Sequence, residues 1–310
     1  MKKILLKFIL VFTTTFMWSQ QDAQFTQYMY NMSVVNPAYT TDNLGFVNIG
    51  ALHRTQWVGV IGAPKSSNLF VHTPISETIE VGFSLINDNI GEVVKENNLY
   101  ADIAYKLNLE SHGNLSFGLK IGATLFDVDF NGFELESGDV FSDPNFADNI
   151  HQSYFNIGTG IYYNTHNFYL GVSVPTILKA KHLDRNNGKY KGTEEPHLFL
   201  TSGYVFKINP QLKLKPAFMA KAVKGAPITI DFTTNILFND NVEFGLGYRL
   251  EDAFSGLINF KVTPEFRIGY AYDHTISNLG PFSSGSHELF MLYDLAIMGT
   301  KGYDKSPRFF

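Results

Sequence analysis

Five histidines, His53, His72, His197, His274 and His287, are the side chains in this sequence best suited to proton transfer, and each falls near the end of a strand-like run. A hydrolase would need one of them beside a nucleophile and an acidic or amide group. No GxSxG or HExxH spacing supplies such a set, so an enzyme is not expected. The chain has no cysteine, which excludes a thiolate metal site, a disulfide framework and a lipid-modified cysteine anchor. Asp139 and Asp143 lie in a stretch, 127–150, with seven acidic residues and no basic one. Hard cations favour such carboxylates, but the EF-hand spacing is missing, so no metal or cofactor is expected. The same stretch intersperses Phe130, Phe133, Phe141 and Phe146, which favours a surface that meets a partner over one that is merely solvated. His53, Arg54 and Trp57 form a second candidate contact, because Arg and Trp anchor interfaces well. Equally open is a rim Trp beside an inward Arg that satisfies buried carboxylates. A net charge of −5 leaves no basic footprint for nucleic acid.

These residues need elements to hold them. Lys2 and Lys3 precede an apolar run from Ile4 to Met17, and polar residues follow from Ser19. That is a secretory signal peptide, expected to be cut between 18 and 21. No later run offers the roughly 18 apolar residues of a spanning helix. Beyond residue 44 the chain breaks into strand-length runs of period two. In 228–238, Ile228, Ile230, Phe232, Thr234, Ile236 and Phe238 alternate with Thr229, Asp231, Thr233 and Asn235. About fourteen runs follow this pattern: 45–56, 66–74, 78–88, 97–109, 114–126, 153–163, 167–175, 196–208, 211–222, 226–238, 241–250, 253–262, 265–274 and 286–298.

Three features select a membrane barrel over a soluble β-fold. Asp102, Lys120, Lys213, Asp231, Glu243, Lys261, Arg267, Asp273 and Asp294 all avoid the apolar register. Lipid enforces that, since a basic residue at the bilayer midplane costs about 2–4 kcal/mol. Long loops near 127–152, 176–195 and 275–285 follow odd strands, and short turns are expected only after even ones. Aromatics such as Phe238, Phe244, Tyr248, Phe254, Phe260 and Phe266 mark strand ends, as interfacial girdles do. The expected fold is an all-β transmembrane antiparallel barrel with short periplasmic turns and longer extracellular loops. Both termini are then periplasmic. The expected divisions are signal peptide 1–20, amino-terminal segment 21–44, barrel 45–298 and periplasmic tail 299–310.

Glycines gather on the inward register, with Gly256 as an exception. They mean either curvature or close approach by another backbone. A plug could supply that approach. In 22–40, Phe25, Met29 and Met32 share one face at helical spacing, and Asn36-Pro37 would end any helix before Ala38.

Taken together, QFTQYMYN…NPAY (24–39), HRTQWVG…GAPKS (53–66), GFSLINDNIG (82–91), LSFGLKIG (115–122), SDPNF (142–146), LKLKPAFMAKAVKGAP (212–227), IGYAYDHT (268–275), GSHEL (285–289) and SPRFF (306–310) resemble the PorP/SprF family. The resemblance implies an outer-membrane protein of the type IX secretion and gliding machinery of Bacteroidetes. Its implied partner is a large secreted surface adhesin, captured through its C-terminal domain by the barrel or its rim. Some members of the family are associated with periplasmic components of the secretion machine, and outer-membrane lipid surrounds the wall. A second reading stays open: fatty-acid-transporter-like barrels, which carry hydrophobic ligands, also have fourteen strands, an amino-terminal hatch and an Asn-Pro-Ala element, here Asn36-Pro37-Ala38.

Overall fold

The computed structural model describes residues 24–41, 44–91, 93–130, 134–135, 138–139, 149–179, 181–185, 190–193 and 195–297. Fourteen antiparallel strands form the wall. They are β1 Phe46–Thr55, β2 Lys65–Pro74, β3 Ile79–Ile90, β4 Val94–Asn108, β5 Asn114–Val128, β6 Ile150–Asn164 and β7 Phe168–Val174. Then come β8 His197–Tyr204, β9 Leu212–Val223, β10 Thr229–Phe238, β11 Val242–Arg249, β12 Ala253–Lys261, β13 Phe266–Thr275 and β14 Ser286–Ala296. A short piece, Phe206–Asn209, continues β8 alongside β9. Each strand pairs with its neighbour in sequence, and β1 closes the ring on β14, from Phe46↔Ala296 to Thr55↔His287. All fourteen sequence-expected runs correspond to these strands.

The wall is inside out relative to a soluble sandwich. Outward residues are large and apolar: Leu119 is 61% exposed, Leu246 73%, and Ile121, Phe244 and Leu289 are similar. The alternate residues, Asp102, Lys120, Asp231, Glu243, Arg267, Asp273 and Asp294, are buried in the lumen. Only a hydrocarbon solvent makes that arrangement stable, because water would favour the opposite placement. The alternation therefore produces both the strand geometry and the membrane placement.

One rim, the turn rim, carries Phe46, Ala296 and short connections such as 75–78 and 239–241. The other, the loop rim, carries 56–64, 129–149, 175–196 and 276–285. The expectation that every short turn follows an even strand needs correction. The connections 91–93 and 250–252, after β3 and β11, are as short as those of the turn rim. Gly91 and Glu251 take positive φ, 67° and 60°, which lets so few residues reverse the chain. The wall is also uneven, because β4, β5 and β6 have 15 residues each while β11 has 8.

Candidate functional site in the lumen

The segment 24–41 fills the interior. It is not one amphipathic helix. Two single 3-10 turns, Tyr28–Tyr30 and Met32–Val34, are joined at Asn31, whose φ of −132° breaks the helical path. Phe25, Met29 and Met32 are buried, and so are Tyr28, Tyr30, Val35, Ala38 and Tyr39. The wall surrounds the segment, so every side of it meets a partner and a single helical face would not suffice. Tyr30 stacks on Phe290 at 4.5 Å, and Tyr39 meets Tyr162 edge-on at 5.5 Å.

Polar anchors fix the path from one rim to the other. Near the loop rim, the backbone N–H groups of Thr26 and Gln27 each donate to the Glu288 carboxylate at 2.8 Å. The Thr26 hydroxyl donates to Asp273 at 2.7 Å and accepts from the Arg54 guanidinium at 3.0 Å. Arg54 also pairs with Asp273 at 2.6 Å and with Glu288 at 3.4 Å. Midway, Lys120 donates to the Ser33 carbonyl at 2.8 Å, the Ser33 hydroxyl meets His72 at 2.9 Å, and Ser173 donates to the Val35 carbonyl at 2.6 Å. At the turn rim, the Thr41 N–H donates to Glu80 at 2.8 Å, while Tyr30 donates to Glu243 and accepts from Asn259. Burial first, and then the neighbouring Glu243 carboxylate, push the Tyr30 phenol well above its ordinary pKa, and burial does the same at Tyr28.

The wall is cut to receive this segment. A Cβ at Gly118 would lie 2.1 Å from the Ala38 nitrogen and 2.2 Å from the Pro37 carbonyl carbon. A Cβ at Gly160 would lie 2.1 Å from Asn36 Oδ1. Asn36 uses that oxygen to accept from the Ala38 N–H at 2.9 Å and donates its amide to the Ile161 carbonyl at 3.0 Å. Both sequence readings of the inward glycines have a place. Gly118 and Gly160 admit the segment, whereas Gly122 and Gly203 admit wall tyrosines, Tyr100 and Tyr169. Gly256, the exception to the register, has nothing within 4 Å of an added Cβ.

The path has a direction. Thr26 lies among Asp273, Glu288 and Arg54, all within three residues of the loop-rim ends of β13, β14 and β1, whereas Thr41 lies at the start of β3 on the turn rim. The strand ends Phe46 and Ala296 do share a rim. The first described residues, around Thr26, lie near the loop rim.

The matching family model is that of the type IX secretion system membrane protein PorP/SprF, over residues 18–293. The chain belongs to this family. Solved structures with a similar fold include the monoaromatic hydrocarbon channel CymD, 13% identical, over 87% of this chain and 92% of that one, with a TM-score of 0.50. The TodX deltaS2S3 mutant, also a monoaromatic hydrocarbon channel, is 10% identical over 86% and 94%, with a TM-score of 0.50. Omp33 of Acinetobacter baumannii is 8% identical over 83% and 100%, with a TM-score of 0.49. At such identities the two channels with a TM-score of 0.50 speak for the barrel fold alone. No curated protein matches the sequence.

In this PorP/SprF chain the sequence-expected contact residues separate. His53 faces outward and shares a hydrogen bond with Ser67 at 2.9 Å. Arg54, at 2% exposure, faces inward. There two carboxylates and Thr26 engage it, which is the inward arrangement that the sequence also left open. Trp57 is half-buried just past β1, with φ of 45° and its N–H donated to Ser286 at 3.1 Å. Phe130 packs with Phe126, Val128 and Ile150 at the base of its loop, so it too is occupied within the chain. Phe133, Phe141 and Phe146 lie outside the described residues, as do the expected signal peptide 1–20 and the expected tail 299–310. Among the described residues no group of three or more His, Asp or Glu could hold a metal ion. The sequence reading did not foresee the Glu288–Thr26 contact. Its signal was nevertheless present, since Glu288, like Asp273, sits on the inward register.

Proposed function

We propose that this protein is an outer-membrane component of the type IX secretion machinery that binds a large secreted surface adhesin through its C-terminal domain, helping to deliver or anchor it. Family membership sets the machinery. The observation that carries the binding role is the filled lumen: a segment tied to the wall from Thr26 to Thr41 leaves the rim and loops as the working surface. In this reading the loop rim faces the cell exterior, the turn rim faces the periplasm and its secretion components, and 24–41 acts as a resident plug. An uptake channel for hydrophobic ligands would instead need this segment to move. Its buried hydrogen bonds to the Glu288, Asp273 and Glu80 carboxylates oppose such movement, because a hydrogen bond to a charged group contributes about 1.5–3 kcal/mol.

The test is affinity isolation of the tagged protein from native outer membranes in mild detergent, with mass spectrometry of what accompanies it. A stoichiometric secreted adhesin supports the role and names the partner. A barrel that emerges alone, carrying bound apolar ligand, would replace it with the transporter reading.

A further inference from the structure

Among the described residues the wall is incomplete beside β6 at the loop rim. Strand β7 pairs with β6 only from Thr159↔Val174 to Asn164↔Tyr169. Among the described residues, the stretch of β6 from Ile150 to Gly158 thus has β5 on one side and no strand on the other. The reason is local. After Val174 the chain turns inward, and the Pro175 carbonyl passes over Gly158 so closely that a Cβ there would lie 2.0 Å from its oxygen. Asn156 then holds the turned chain, its Oδ1 accepting from the N–H groups of Ile177 at 3.0 Å and Leu178 at 3.1 Å. On the far side of the gap, β8 extends only His197 and Leu198 beyond its last pair with β7, Phe199↔Ser173.

The ladder phase tells which backbone groups this leaves open. Ile157 accepts from the Ile177 N–H on the β7 side. Antiparallel strands repeat every two residues, so Phe155, Ser153 and His151 direct their N–H and C=O groups to that same side. Among the described residues none of these groups has a partner. Their side chains face outward, and Phe155 is 80% exposed. Unpaired edges are normally blunted by lysine, proline, a bulge or a covering loop. Residues 151–156, His-Gln-Ser-Tyr-Phe-Asn, contain neither lysine nor proline. The described part of the following loop pairs with itself instead, Lys181–Arg185 with Tyr190–Thr193, in a separate two-stranded sheet.

We propose that this edge of β6 receives an extended segment of the secreted partner as an added β-strand, which takes the place that β7 vacates. The proposal rests on the secreted-partner reading above and adds how the partner is held. Alternating donors and acceptors along 151–155 match an extended backbone and no other common chain conformation, so main-chain hydrogen bonds supply the affinity. Phe155 then packs against every second side chain of the incoming strand.

Ser153→Pro removes one edge N–H while leaving the β5 side of β6 intact, a position where a strand tolerates proline. Ser153→Ala keeps that N–H. In co-isolation from native outer membranes, the proline variant should retain roughly tenfold less adhesin than the alanine variant, the loss expected for about 1.4 kcal/mol, with equal barrel yield and equal heat-modifiable migration. If wild type retains no secreted protein, the partner reading itself fails. If wild type and Ser153→Pro retain it equally, strand addition alone is overturned. Should Ser153→Pro not assemble, Ser153→Cys in this otherwise cysteine-free chain gives the second measurement. A thiol–amine crosslinker should then join it to the co-isolated adhesin, and a co-isolated adhesin that never crosslinks from this position also overturns the proposal.

Discussion

At the scale of single residues, Arg54 and Gly118 show how the wall and its occupant specify each other. Arg54 pairs with Asp273 and Glu288; Glu288 holds the backbone N–H groups of Thr26 and Gln27, and Asp273 accepts from the Thr26 hydroxyl. Arg54→Ala should therefore cost about 3–5 kcal/mol, because it strands buried charge. The loss should show as faster protease cleavage near residue 26 in detergent-solubilised protein. Adding Glu288→Gln should recover part of it, and a strictly additive double mutant would contradict the coupling. Gly118→Ala should destabilise by about 1–3 kcal/mol through overpacking against Pro37 and Ala38, whereas Gly256→Ala, facing open space, should stay within about 0.5 kcal/mol. Thermal melting of the two variants side by side decides this. Tyr28 and Tyr30 supply a pH test. Their folded pKa values are raised, so their contribution is complete below about 10, the unfolded value, and is lost as pH rises through the folded values. Tyrosine ionisation followed by ultraviolet difference spectroscopy should leave a fraction that titrates only as the segment loosens. A single step at the free-tyrosine value would contradict the burial. Much of this cluster was legible in the sequence. Thr26, Arg54, Asp273 and Glu288 come from QFTQ, HRTQ, YDHT and GSHEL, four of the stretches that carried the family resemblance, and the structure brings them to one place. What the sequence could not show is which inward charges meet, because that depends on barrel closure.

At the scale of elements, the strands were readable because lipid imposes one rule on every outward position. An outward lysine in mid-strand has no way to be satisfied, so the period survives along all fourteen strands. Leu119→Lys tests the rule: on the membrane face of β5, beside the inward Lys120, it should cost about 2–4 kcal/mol in bilayer unfolding measurements. A neutral result would mean that this position lies outside the hydrocarbon. The amino-terminal segment obeys no such rule. Helical spacing of Phe25, Met29 and Met32 suggested one helix, but partners on all sides favour short 3-10 turns whose carbonyls and N–H groups also reach wall side chains. Loop lengths misled in part, because Gly91 and a positive-φ Glu251 close two loop-rim connections as tightly as turns.

At the scale of the whole molecule, strand number and contents have to be considered together. Barrels of about eight strands fill with their own side chains, and those of 16–18 leave an aqueous channel. Fourteen strands fall between, so a wall of this size would be open without an occupant. Segment 24–41 supplies the occupant, and it is anchored at both ends, by Glu288 and Asp273 near the loop rim and by Glu80 at the turn rim. Loosening one end should therefore leave the lumen blocked by the other. In planar bilayers the wild-type protein is expected to be electrically silent. Glu80→Gln and Arg54→Ala should each give at most brief openings, since one set of anchors survives. The two together should conduct steadily, as should a barrel lacking 24–41. Steady conduction by the wild type would mean that the segment leaves a continuous water path, and the lumen would then have to be considered a transport route. Silence of the double variant, with the barrel folded, would mean that apolar packing of Tyr30 on Phe290 and of Tyr39 on Tyr162 holds the segment without its polar anchors.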